Sequence, residues 1–250
     1  MVMNYDPIKT HNITPSVETD IFDHHPDQRF AIGVIGINTD PSLDQDALFQ
    51  SYLRLRANVY IDQRQILDED ARRVDGTETD IDDERSVHIV ALENQLARVA
   101  VVGCMRLIEK NTHDKETKLP IEEFFKDEFD ENPAPSQAVE VSRLIVRHDD
   151  RFHANNLRTR LFARGVSHVI ANDLGPAYGV VETKLQEQLE RNGVPFSVVA
   201  DPRYIPKYKT DNLGIMIDTN ELSNRLDPDV LSGMKANSNT FQYWGDAIRH

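Results

Sequence analysis

The sequence predicts a single α/β domain, a central mixed and mostly antiparallel sheet flanked by helices. Three observations predict it. Apolar runs of strand length alternate with helical stripes between residues 30 and 218. No segment repeats, and no second apolar core follows the first. One run, Gln137-Ala-Val-Glu-Val-Ser-Arg-Leu-Ile-Val146, is apolar enough to be covered on both faces, as in the middle of a sheet.

Residues 1–28 are polar and aperiodic and read as a flexible extension. Their His24-His25-Pro26 is a poor metal site, with no third or fourth ligand at suitable spacing. The domain is expected over 29–219. Phe30 to Ile37 is a first strand, and Asp40 or Ser42 caps a helix whose stripe is Leu48, Tyr52, Leu55 and Val59. That helix ends near Asp62, and an acidic loop around Gly76 runs to residue 84; long loops of this kind are often functional. Val87–Leu92 and Arg98–Ile108 form a hairpin around Glu93-Asn94-Gln95. A polar connection with a short helix at Leu119–Phe125 leads to Pro133 and Pro135, which break the chain before the central strand.

After that strand come a helix over about 155–172, a strand at Tyr178–Val181 and a helix over 183–192 that Gly193 ends. Strands at Phe196–Ala200 and Leu213–Asp218 close the domain. The tail over 220–250 is mostly polar, holds at most one helix and carries an aromatic stretch, Phe241-Gln-Tyr-Trp244, near its end.

The chain has 250 residues, 39% hydrophobic and 28% charged, with no apolar stretch of membrane-spanning length. Its start lacks the basic and apolar regions of a secretory signal, so a cytoplasmic location is expected. One cysteine, Cys104, excludes an intramolecular disulfide and reads as a small buried hydrophobe. A net charge of −14 argues against a nucleic-acid binder. The exception is residues 143–164, with six arginines against Asp149 and Asp150: either a dock for an anionic partner or a solvated helix face.

Phosphate-cradling, dinucleotide-binding and serine-elbow motifs are absent from the sequence, as are His-Glu-x-x-His and paired cysteines, so no metal is expected. What stands out is charge in apolar company: Arg56 on the first helix, Asp80 and Asp83 in the loop, Arg106 on the second hairpin strand, and Glu140 with Arg143. Burying such groups costs several kcal/mol per ion unless they are paired. They are either a structural ion pair or the lining of a cleft for a zwitterionic substrate. Glu140 and Arg143, three apart, lie on opposite faces of a regular strand; a bulge between them would let both serve one cleft.

The order of these motifs resembles the acyl-homoserine-lactone synthase (autoinducer synthase) family and the related N-acyl amino acid synthases, of the acetyltransferase-like (GNAT) fold group. The matching pieces are Arg56-Ala-Asn-Val-Tyr60, Gly76-Thr-Glu-Thr-Asp80-Ile-Asp-Asp83, Val102-Gly-Cys-Met-Arg106-Leu and Glu140-Val-Ser-Arg143. The resemblance implies an N-acyltransferase acting on the amine of a small amino-acid-like substrate, an amino acid or S-adenosylmethionine. It implies catalytic roles for Glu140, as base, and for Arg106 and Arg143, with Arg56, Tyr60, Asp80, Asp83 and Ser142 binding substrate. No permanently bound cofactor is implied; an acyl-thioester, on acyl-carrier protein or coenzyme A, is the co-substrate.

Two departures bear on the substrates. The family has a tryptophan where this chain has Ile66, and that tryptophan helps form the S-adenosylmethionine site. The glycine-rich pyrophosphate loop of acetyl-CoA-dependent relatives is replaced by Arg147-His-Asp-Asp-Arg151, which fits a carrier-protein donor, docked on Arg147, Arg151 and Arg158. The competing reading is a non-catalytic acyl- or metabolite-binding sensor on the same fold.

Overall fold

The computed structural model describes residues 29–35, 45–95, 98–110, 117–191, 194–224, 232 and 242–244. In chain order the elements are β1 (Phe30–Ile35), α1 (Gln45–Ala57), β2 (Ser86–Gln95), β3 (Arg98–Glu109), α2 (Pro120–Phe124), α3 (Lys126–Phe129) and β4 (Val139–Val146). There follow α4 (Arg151–Ala171), β5 (Ala177–Glu182), α5 (Thr183–Arg191), β6 (Ser197–Ile205), β7 (Thr210–Ile217), α6 (Thr219–Asn224) and β8 (Gln242–Trp244). The strands form one sheet in the order β6-β7-β5-β4-β3-β2-β1-β8. Only β4 and β5 pair in parallel; the other neighbours are antiparallel. The mixed sheet read from the sequence is thus the observed one. The tail, expected to hold at most one helix, also supplies an edge strand, with Trp244 opposite Phe30.

Alternation of side chains assigns two apolar layers to the two faces. On one face Ala31, Val90, Leu92, Cys104 and Ile145 pack beneath Leu48, Tyr52 and Leu55 of α1. On the other, Ile32, Ile89, Met105, Leu107 and Val139 pack against Leu157, Leu161 and Val169 of α4. Gly165 lets α4 approach closely: a Cβ there would stand 2.0 Å from the Met105 methyl. The helix begins at Arg151, earlier than the expected residue 155, because the Asp150 carboxylate accepts from the N–H groups of Phe152 and His153. Of the six arginines in this region, Arg143 and Arg164 are buried, so they belong to no surface dock.

Two irregularities shape the centre of the sheet. On β3, Cys104 faces Ile145 and Arg106 faces Ser142, so β4 carries one extra residue in that interval. Arg143 sits in this bulge with φ 56°, a left-handed conformation costly for a non-glycine residue. Beyond it, β4 and β5 part. Their pairing covers only Val139–Val141 against Ala177–Gly179, while β4 continues along β3 and β5 along β7. The sheet therefore opens into a V beside the charged residues.

Candidate active site

The site is built from four segments. Arg56 lies in the last turn of α1, which continues as a π-helical turn over Asn58–Gln63 that buries Val59, Tyr60 and Ile61. Such turns interrupt helices most often at functional positions. The acidic loop then folds back, its Glu78 N–H donating to the Leu53 carbonyl of α1. A short 3₁₀ turn, Ile81–Arg85, follows. Asp80 caps it by accepting from the Asp82 N–H at 3.1 Å, and Asp83 accepts from the Asp80 N–H at 2.9 Å. This reciprocal capping fixes two neighbouring carboxylates before any arginine is considered. Arg106 reaches them from β3, and the bulge turns Arg143 onto the same face as Ser142.

The result is a closed network of three guanidinium and three carboxylate groups. Arg106 forms a two-pronged pair with Asp80, reaches Asp83 at 2.7 Å and donates to the Ser142 hydroxyl at 3.0 Å. Arg143 donates to Glu78 at 3.0 Å and to Asp80 at 2.9 Å. Arg56 donates to Glu78, Asp83 and the Tyr52 hydroxyl. The Arg143 guanidinium carbon stands over the Tyr60 ring, 5.2 Å from its centre. Burial alone would raise the Asp80 and Asp83 carboxyls, yet the arginine charges and hydrogen bonds outweigh it, lowering Asp83 and holding Asp80 well below the usual range. Burial likewise lowers His88 to about 4, so its ring is neutral and sits between the Tyr52 hydroxyl and the Asp83 carbonyl. Asp80 is the most open of the three acids, 20% exposed against 8% for Asp83 and 2% for Glu78.

Glu140 stands apart from this network. It is 1% exposed, and its Oε2 accepts from the Ile121 N–H of α2 at 2.7 Å. Among the described residues it forms no ion pair, so of the two readings the sequence left open the structural Glu140–Arg143 pair is not the one formed: Arg143 turns to Glu78 and Asp80 instead. Burial pushes the Glu140 carboxyl up to about 8, against the opposing pull of the Ile121 N–H and the Arg106 charge. A carboxyl in this state can take up a proton near neutral pH.

The structure brings Arg56, Tyr60, Asp80, Asp83, Arg106, Ser142 and Arg143 together, with Glu140 on the same face of β4. Arg147 (hydrogen-bonded to Asn58), Arg151 and Arg158 lie outside the network, on the approach to α4 and its first turns. Sequence reasoning missed Glu78, the acid that bridges Arg56 and Arg143. Its spacing from Asp80, two residues along an extended segment, was the available signal. Tyr208 was also missed as a site residue; on the turn between β6 and β7, it hydrogen-bonds Arg143, and burial raises its hydroxyl to about 12. Cys104 proves inert, its thiol raised to about 12 by burial.

This arrangement, a V-shaped opening in a mixed sheet beside a charged pocket and a protonatable carboxyl, suits acyl transfer to an amine. The model of the autoinducer synthase family matches residues 40–225, and the chain belongs to that family. The protein is an acyltransferase on an acetyltransferase-like fold. Solved structures similar to it include the CoA-dependent acyl-homoserine lactone synthase BjaI with SAM and isopentyl-CoA, at 22% identity over 84% of this chain and 89% of that one, TM-score 0.58. The AHL synthase LasI is similar at 18% identity, 76% and 90% coverage and TM-score 0.57. FeeM, an N-acyl amino acid synthase from uncultured soil microbes, is similar at 11% identity, 79% and 96% coverage and TM-score 0.52. None of the curated proteins matches. Among the described residues no helix is long and apolar enough to cross a membrane.

Proposed function

We propose that the protein transfers a fatty acyl group from the thioester of an acyl-carrier protein to the α-amine of an amino acid, with Glu140 as the base. The observation that carries this reading is the environment of Glu140: buried, without a cationic partner in contact, and poised near pH 8. The substrate ammonium meets Asp80, the open side of the charged network, and gives a proton to Glu140. The free amine attacks the thioester carbonyl, the C–S bond breaks, and the departing thiolate takes up the proton that the acylated nitrogen sheds. Arg106 and Arg143 act by holding Asp80 in place, and Arg56, Asp83, Tyr60 and Ser142 brace them. The V between β4 and β5 leaves strand edges unpaired, and a thioester arm bearing amides fits there as an added strand.

The donor reading rests on Asp150. A helix start can bind a pyrophosphate through its free N–H groups. Here the Asp150 carboxylate occupies those of Phe152 and His153, at 2.7 and 3.2 Å, and puts a negative charge where the nucleotide end of coenzyme A would need a positive site. Arg147, Arg151 and Arg158 nearby suit the acidic surface of a carrier protein. The amine reading rests on Ile66, which is half-buried against the core and offers no aromatic face to a sulfonium. The test is intact-mass detection of N-acyl products from purified protein, with carrier and coenzyme A thioesters against a panel of amino acids and S-adenosylmethionine. Glu140→Gln should lower the rate by about 10²-fold or more. Full activity in that variant, or product formed only from S-adenosylmethionine, would refute the corresponding part.

A further inference from the structure

The hydrogen bond on Glu140 depends on how α2 begins, and a second buried ion pair fixes that beginning. Lys110 directly follows β3. Its ammonium donates to Glu122 Oε1 at 2.8 Å and to the Ala134 carbonyl at 2.7 Å. The same Glu122 carboxylate accepts from the Leu119 N–H at 2.7 Å and the Ala134 N–H at 3.0 Å. Both side chains are buried, Lys110 at 8% exposure and Glu122 at 2%. Together they tie the first turn of α2 to the end of β3 and to the chain entering β4. Ile121, one residue before Glu122, thereby presents its N–H to Glu140 at 2.7 Å. An apolar pair could fill the same space at lower desolvation cost, but it could not hold the Leu119 and Ala134 N–H groups.

We infer that Lys110 and Glu122 are positioning residues for acyl transfer: they hold the Ile121 N–H on Glu140 and so set the fraction of Glu140 able to accept a proton. This rests on the reading of Glu140 as the base. Other groups facing Glu140 include Arg106 from β3, Asp82 and Arg85 from the 3₁₀ turn, Tyr208 from the β6–β7 turn and Tyr178, its register partner on β5. A change at Glu122 alters none of them chemically. Loosening the brace withdraws the Ile121 N–H, which favours the ionised carboxylate, so Glu140 becomes harder to ionise.

The test uses the full-length protein labelled with ¹⁵N. The Ile121 amide shift and kcat are both followed against pH in the wild type, Glu140→Gln and Glu122→Gln. In the wild type the Ile121 amide should titrate at the midpoint of the rising limb of kcat, and Glu140→Gln should abolish that titration. Glu122→Gln should move both midpoints upward by about one pH unit, a tenfold loss of kcat at pH 7 recovered in alkali, with little change in KM for the amine. Should Glu122→Gln not fold, Glu122→Asp keeps the charge, shortens its reach and should give the same shift. A lower melting temperature with unmoved midpoints would make the pair a structural brace and overturn the inference. A kcat limb that ignores the Ile121 titration in the wild type would sink the base reading itself, and this inference with it.

Discussion

The proposed role of Glu140 as base sets stability against function at that residue. In the unfolded chain this carboxyl titrates at its ordinary 4.5; in the folded protein burial raises it to about 8. The folded state therefore binds the proton more tightly. The stability it contributes is complete below pH 4.5 and is lost as pH rises towards 8. Each pH unit across that window removes about 1.4 kcal/mol, and the whole window about 5 kcal/mol. Glu140→Gln, which cannot ionise, removes this dependence. Urea unfolding of both proteins at pH 5, 6, 7, 8 and 9 measures it directly. The stability of the wild type relative to the variant should fall steadily and then level off above pH 8, while wild-type activity rises through the same range. A difference that stays flat from pH 5 to 9 would mean Glu140 is ionised at its ordinary value, and the argument from burial would be wrong.

Arg106→Ala should destabilise the fold by about 3–5 kcal/mol, since it strands Asp80 and Asp83 within a buried network; thermal unfolding should show a loss of roughly 6–20 °C. An unchanged melting temperature with lost activity would recast Arg106 as a solvated substrate ligand. Asp150→Ala frees two N–H groups at the start of α4 and should raise kcat/KM for coenzyme A thioesters about tenfold, one charged hydrogen bond being worth roughly 1.5 kcal/mol. No gain over the wild type would remove the case against a nucleotide donor. Reversing Arg151 and Arg158 to glutamate should raise KM for the acyl-carrier donor and leave short acyl-pantetheine substrates nearly untouched. The wild-type carrier reaction should weaken as salt passes about 0.15 M; insensitivity to both would leave these arginines as a solvated face.

The order of strands and helices was legible because periodicity is local: Leu48, Tyr52 and Leu55 declare a helix, and Val139 to Val146 a buried strand, without any partner in view. The network was legible only in its ends. Arg56, Asp80, Asp83, Arg106 and Arg143 stand out because charge in apolar company needs a partner. Glu78 lay hidden among the acids of a polar loop, and long-range bonds to α1, from its N–H to the Leu53 carbonyl and from Arg56 to its carboxylate, bring it there. Likewise β6 runs to Ile205, past the expected end at Ala200, because Arg203, Tyr204 and Ile205 pair with β7, a long-range contact that polar residues do not announce. The aromatic end at Gln242–Trp244 gave no alternation long enough to read as a strand; its place is set by the free edge of β1.

The bulge in β4 shows how one residue decides the chemistry of the strand. In a regular strand Arg143 would point into the layer of Leu157 and Leu161, a charge among apolar side chains with no acid to meet it. The extra residue and the left-handed φ turn it to the other face, where Glu78 and Asp80 neutralise it. Had it met Glu140 there, the pair would have been stable and useless, because a guanidinium in contact holds a carboxyl too low to serve as a base at neutral pH. Glu78, which Arg143 shares with Arg56, and Asp80 hold Arg143 on the other side. The acid that escaped notice in the sequence thus helps hold Arg143 away from Glu140, and Glu78→Gln, which leaves Arg143 with Asp80 alone, should lower the midpoint of the kcat–pH limb ascribed to Glu140 in the proposed mechanism; an unmoved midpoint would show that Asp80 suffices.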